Sequence, residues 1–161
     1  MATGKNIKTF YQGSWHTEDV AIMRAADHGT WLGSSVFDGA RYFNGVAPDL
    51  LAHCERVNNS ARALMLGPNT SGQEMLEIIK EGLKTYSKDS AVYIRPMYWA
   101  LDGDGTTIPP SSESVGFAMC LAVIPLAPGR ASSTVTRTNV RRPVGADAGV
   151  RAQAGCLSPN A

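Results

Sequence analysis

The chain has 161 residues, with 43% hydrophobic side chains and 18% charged ones. That composition describes one ordinary globular domain, able to bury roughly two thirds of its unfolded surface, and not a disordered polyelectrolyte. A net charge of +1 gives no electrostatic case for nucleic acid or an anionic membrane as partner.

The opening stretch, Met1 to Gly13, holds Lys5 and Lys8 but no apolar run of signal-peptide length. The longest greasy run, Phe117 to Leu126, is too short to span a bilayer. The expectation is a soluble, cytoplasmic protein. Its three cysteines, Cys54, Cys120 and Cys156, are odd in number and widely spaced, so neither a disulfide framework nor a zinc site is expected.

The first strand is expected over Ser34 to Phe43, where β-branched and aromatic residues cluster. A period of two puts Phe37, Gly39 and Arg41 on one face, with a glycine leaving room beside the backbone between a ring and a guanidinium. That suits a carboxylate-bearing ligand; a bulge glycine beside an exposed arginine fits equally well.

Pro48-Asp49 followed by Leu50, Cys54, Val57, Ala61 and Leu64 has helical period, with Gly67-Pro68 as the expected stop. His53, Arg56 and Ser60 lie at i, i+3 and i+7 on this helix, a fork of donors that could hold a phosphate. A second helix is expected over about 71 to 87 from the Ser71/Glu74 capping-box pattern and the Met75, Ile79, Leu83, Tyr86 stripe. Lys80, Lys84 and Lys88 fall on its other side.

Three more strands are expected, over Ala91 to Ala100, Val115 to Pro125 and Ser133 to Val140. Tyr93 and Arg95 share one strand face, and an arginine buried there needs an anionic partner, whether a ligand or a structural carboxylate. Asp102-Gly-Asp104 with Glu113 is not a calcium loop, because Thr107 stands where glycine is required. No histidine or cysteine pair has metal-ligand spacing, so no metal is expected. The fold expected is α+β, a two-layer sandwich of two main helices on a largely antiparallel sheet.

From Arg130 onward five arginines face one acid, Asp147, whereas the first 129 residues carry ten basic and thirteen acidic groups. This basic tail is read as solvated surface. The Pro/Gly/Ala-rich stretch from Pro143 to Ala154 is the expected domain boundary, with one domain over 1–142 and the start of another over 143–161.

Taken in order, Ser35-Val-Phe-Asp-Gly-Ala-Arg41-Tyr-Phe-Asn-Gly, His53-Cys-Glu-Arg56-Val-Asn-Asn-Ser-Ala and Ala91-Val-Tyr-Ile-Arg-Pro96 resemble the small amino-terminal domain of class IV pyridoxal-phosphate aminotransferases. The Tyr-Ile-Arg-Pro strand resembles the branched-chain amino acid type most. The resemblance implies the small domain of fold-type IV enzymes, pyridoxal phosphate as cofactor with Arg56 and Ser158 among its contacts, and Phe37, Gly39, Arg41, Tyr93 and Arg95 lining the substrate pocket. It also implies an amino acid and a 2-oxo acid as small-molecule partners, and a homo-oligomer. Leu32 stands where some members place a tyrosine.

Members with this Ala-Gly-Cys-Leu segment read Lys-Ala-Gly-Cys-Leu-Tyr-Pro-Asn. Here the stretch is Gln153-Ala-Gly-Cys-Leu-Ser158-Pro-Asn160. The lysine that joins the cofactor covalently and moves the α-proton is thereby replaced by an amide that can do neither. Two readings follow: a branched-chain aminotransferase-like protein that is inactive as this chain alone, for want of the lysine and the large domain, or a non-catalytic remnant that acts as a binding or interaction module.

Overall fold

In the computed structural model, residues 4–106 and 108–126, with Ala152 and Ala154, are described. The expected strand over Ser133 to Val140, the boundary at 142/143, Gln153 and Ser158 lie outside the described residues.

The chain begins with a hairpin, β1 (Lys5–Tyr11) and β2 (Ser14–His16). Tyr11 pairs with Ser14, and the two residues between, Gln12 and Gly13, have φ of 50° and 79°. A two-residue turn with both φ values positive matches the right-handed twist of paired strands. A single helical turn, α1 (His28–Trp31), leads to β3 (Ser35–Phe37) and β4 (Ala40–Tyr42). The one strand expected over Ser34 to Phe43 is therefore two, interrupted at Asp38-Gly39. Burial still alternates across the break, because Asp38 N–H donates to the Pro96 carbonyl at 3.0 Å and keeps the register.

Two helices follow, α2 (Leu50–Ala63) and α3 (Gly72–Leu83), then the long strands β5 (Val92–Ala100) and β6 (Val115–Val123). The six-stranded sheet runs β2-β1-β6-β5-β3, with β4 also on β5, and every described pairing is antiparallel.

One sheet face carries Val92, Ile94, Tyr98, Met119 and Leu121 against Cys54, Val57 and Ala61 of α2 and Met75 and Ile79 of α3, all buried in one core. The other face is built from the alternate residues, and its central column on β6 is small: Gly116, Ala118, Cys120 and Ala122. At one end that face is closed by the segment around α1, where buried Asp27 accepts from Arg24 N–H and Nε and from Trp99 Nε1. Hydrogen bonding to the Arg24 amide, together with its guanidinium and the indole, holds Asp27 below the usual carboxylate range despite burial.

Candidate functional site

On the sheet face turned away from α2 and α3, Arg41 of β4 lies directly opposite Tyr93 of β5, and Arg95 opposite Cys120 of β6. The guanidinium carbons of Arg41 and Arg95 stand 5.1 and 5.7 Å from the Tyr93 ring centroid. Cation–π attraction of about 0.5–2 kcal/mol each holds such pairs. Among the described residues neither arginine has a carboxylate partner. Arg41 Nη1 donates to the Ile124 carbonyl at 2.8 Å, and Arg95 Nη2 approaches Cys120 Sγ at 3.7 Å. Arg95 Nε is buried with no acceptor among the described residues, an arrangement that costs free energy unless an anion completes it.

Gly39 sits beside this group. A Cβ there would lie 2.4 Å from Tyr93 Oη. The room that the glycine leaves beside the backbone is taken up by the tyrosine hydroxyl. Phe37, two residues before, is half-buried on the same face.

Asp38 points the opposite way, toward the helices, because it is out of phase with Phe37 and Gly39. Its side chain is 0% exposed. Oδ1 accepts from Gly39 N–H at 2.7 Å, from His53 Nδ1 at 2.7 Å and from Arg56 Nη2 at 2.7 Å, while Oδ2 accepts from Arg56 Nε at 2.5 Å. Burial alone would raise its pKa. The hydrogen bonds from Arg56 and His53, the Arg56 charge and the Gly39 amide outweigh it and hold the carboxyl below its ordinary range. Since Asp38 is then ionised at neutral pH, His53 Nδ1 must carry the proton, and the 3.1 Å approach of Arg56 Nη2 to that nitrogen is a contact without a hydrogen bond.

The three-donor fork expected on α2 is therefore divided. His53 and Arg56 meet on Asp38, and Ser60, a turn further along, is buried. Arg56 alone remains open, its side chain 56% exposed. Asp38 is the functional candidate that the sequence reading missed. Its signal was present in the period of two: a lone acid on the helix-facing side of a strand needs a cation from the helix that covers it.

Of the two cysteines described, Cys54 is buried and its thiol is pushed up to about 11, chiefly by burial. It is a packing residue. Ala152 and Ala154 are buried, and Ala154 meets Val36 in an isolated antiparallel bridge. Ala154 thus lies against β3, beside Phe37.

The model of the family described as amino-transferase class IV matches residues 35–154. An aminotransferase from Brucella abortus, solved bound to the cofactor PLP, is 49% identical with a TM-score of 0.90 over 96% of this chain and 55% of that one. The branched-chain aminotransferase of Thermoproteus uzoniensis, solved with norvaline, gives 22% identity and a TM-score of 0.77 over 95% and 52%, which speaks for the fold alone. A putative branched-chain-amino-acid aminotransferase of Methanocaldococcus jannaschii is 32% identical over 89 residues, 55% of this chain and 31% of that protein. The chain spans about half the length of these solved structures and about a third of the curated relative. Its α+β sandwich is the small domain of the fold-type IV aminotransferases.

Proposed function

The chain belongs to the amino-transferase class IV family, and from that premise we propose that it is a branched-chain aminotransferase-like protein whose residues hold the two anionic ends of a transamination site. The observation that carries this reading is the pair Arg41 and Arg95, set against one tyrosine ring with no acid among the described residues to neutralise them and, among those residues, no acceptor for the buried Arg95 Nε.

Two like charges gathered on one ring repel each other unless an anion joins them. The planar fork of a guanidinium suits a carboxylate, so the α-carboxylate of a branched-chain amino acid or of its 2-oxo acid is the ligand assigned to Arg41 and Arg95. Phe37 and Tyr93, the latter resting on Gly39, are assigned to the adjoining wall. Arg56, with its exposed edge free, is assigned to the phosphate of pyridoxal phosphate. The donor set fits that cofactor. When bound, it supplies the electron sink through which an amino group can be moved; this chain's own side chains bind and orient.

The residues at 153 and 158 set the limit of the reading. Gln153 stands in the lysine's place and Ser158 in that of the tyrosine, and an amide is neither a nucleophile nor a base at neutral pH. The chain by itself is therefore read as non-catalytic, a binding half that needs an amine supplied from elsewhere. Exposed Trp31, Leu32 and Ile108, on segments that His28 joins through its contacts with Ser34 Oγ and the Ile108 carbonyl, favour a homo-oligomer.

The test is amino transfer from leucine to 2-oxoglutarate by the purified chain with added pyridoxal phosphate. No turnover above the protein-free rate is expected. Turnover that Arg56→Ala abolishes would overturn the non-catalytic reading.

A further inference from the structure

Every donor that Asp38 engages comes from an element with a place in the proposed site, yet Asp38 itself is shut away from any ligand. Its carboxylate is fully buried between β3, β4 and α2 and binds Arg56 from the side, through Nε and Nη2. Side-on engagement uses two of the five guanidinium hydrogens and leaves the end-on edge, one hydrogen on Nη1 and one on Nη2, unspent. An oxyanion taken on that edge meets two donors at fixed spacing.

We propose that Asp38 is a positioning residue that locks the Arg56 guanidinium side-on, so that its free edge forms a preset phosphate-binding fork. This rests on the assignment of Arg56 to the phosphate given above. Without the carboxylate, a side chain 56% exposed would sample many rotamers, and binding an anion would have to repay that lost freedom. Asp38 also joins the two halves of the site: the same Oδ1 that holds Arg56 and His53 accepts the Gly39 amide, and Gly39 is the residue against which Tyr93 rests. The phosphate fork and the carboxylate-facing ring are thereby fixed to one buried group.

The experiment compares binding of inorganic phosphate and of pyridoxal phosphate to the wild-type chain, Arg56→Ala, Asp38→Asn, Asp38→Glu and the double variant Asp38→Asn/Arg56→Ala. Asp38→Asn is expected to weaken both probes by on the order of tenfold, the worth of one charge-assisted contact. It is expected to add no further loss once Arg56 is gone. Asp38→Glu, which keeps the charge, is expected to recover part of the affinity. Losses that add in the double variant, or an Asp38→Asn chain that binds like wild type while Arg56→Ala does not, overturn the positioning role alone. Arg56→Ala binding like wild type, or a wild type that binds neither probe, overturns the phosphate assignment beneath it.

A ligand-free readout decides the positioning itself, even if Asp38→Asn fails to fold. In the nitrogen-15 spectrum of the wild-type chain, the Arg56 Nε–H is expected to be separate and slow to exchange. A signal averaged with those of solvated arginines overturns the lock.

Discussion

At the scale of the residue, Asp38 joins site chemistry to stability, and the link can be read through pH. Its folded pKa is lowered relative to the ordinary value of 3.8. A carboxyl with a depressed folded pKa contributes stability that is present above the unfolded value and is lost as pH falls through the folded one. The wild type is therefore expected to melt above Asp38→Asn at neutral pH, and that difference should shrink as pH drops below the ordinary carboxylate range. Melting temperatures of both chains from pH 7 to pH 2.5 would show it, whereas a constant difference would mean that Asp38 acts through packing and not through charge. Sequence alone brought Phe37, Gly39, Arg41, Tyr93, Arg95 and Arg56 forward, because alternation along a strand and periodicity on a helix need only local geometry. The Asp38 bridge was not seen, because it depends on α2 crossing the helix-facing side of β3, a tertiary fact.

At the scale of the element, helix starts were easier to read than stops. The Ser71/Glu74 capping box is present with both of its bonds, Ser71 N–H to Glu74 Oε2 at 2.7 Å and Glu74 N–H to Ser71 Oγ at 3.1 Å. Gly67-Pro68, however, does not end α2. The helix stops earlier, where Leu66 N–H reaches the Ala61 carbonyl and Met65 N–H the Arg62 carbonyl, with Met65 at φ 60°. This is the six-to-one closure that glycine usually serves, made here by an exposed methionine in the left-handed region. Met65→Gly is accordingly expected to stabilise the fold by up to about 1 kcal/mol, and Ser71→Ala to cost about 1 kcal/mol, both measurable by urea titration. A Met65→Gly chain less stable than wild type would show that the methionine's packing outweighs its backbone strain. The hairpin β1–β2 was not among the expected strands although its signal was local, with Ile7, Thr9, Phe10, Tyr11 and Trp15 around the Gln12-Gly13 turn; pairing with β6 places it in the sheet.

At the scale of the whole molecule, the two-layer α+β sandwich was legible because its helices and two central strands each bury one face and repeat at their own period. The interruption at Asp38-Gly39 was not, since burial alternates through it unbroken. In the function proposed above, the chain keeps the anion-holding walls of a class IV aminotransferase without an amine of its own to make the covalent link. All five lysines, Lys5, Lys8, Lys80, Lys84 and Lys88, lie on β1, on α3 or just after it, and among the described residues none pairs with Asp38. The most direct measurement is incubation of the purified chain with pyridoxal phosphate, reduction with borohydride and mapping of labelled residues by mass spectrometry. The expected result is no label, or substoichiometric label scattered over surface lysines, while reversible binding remains sensitive to Arg56→Ala. A single stoichiometric label on one lysine, with a visible band that shifts when leucine is added, would contradict it.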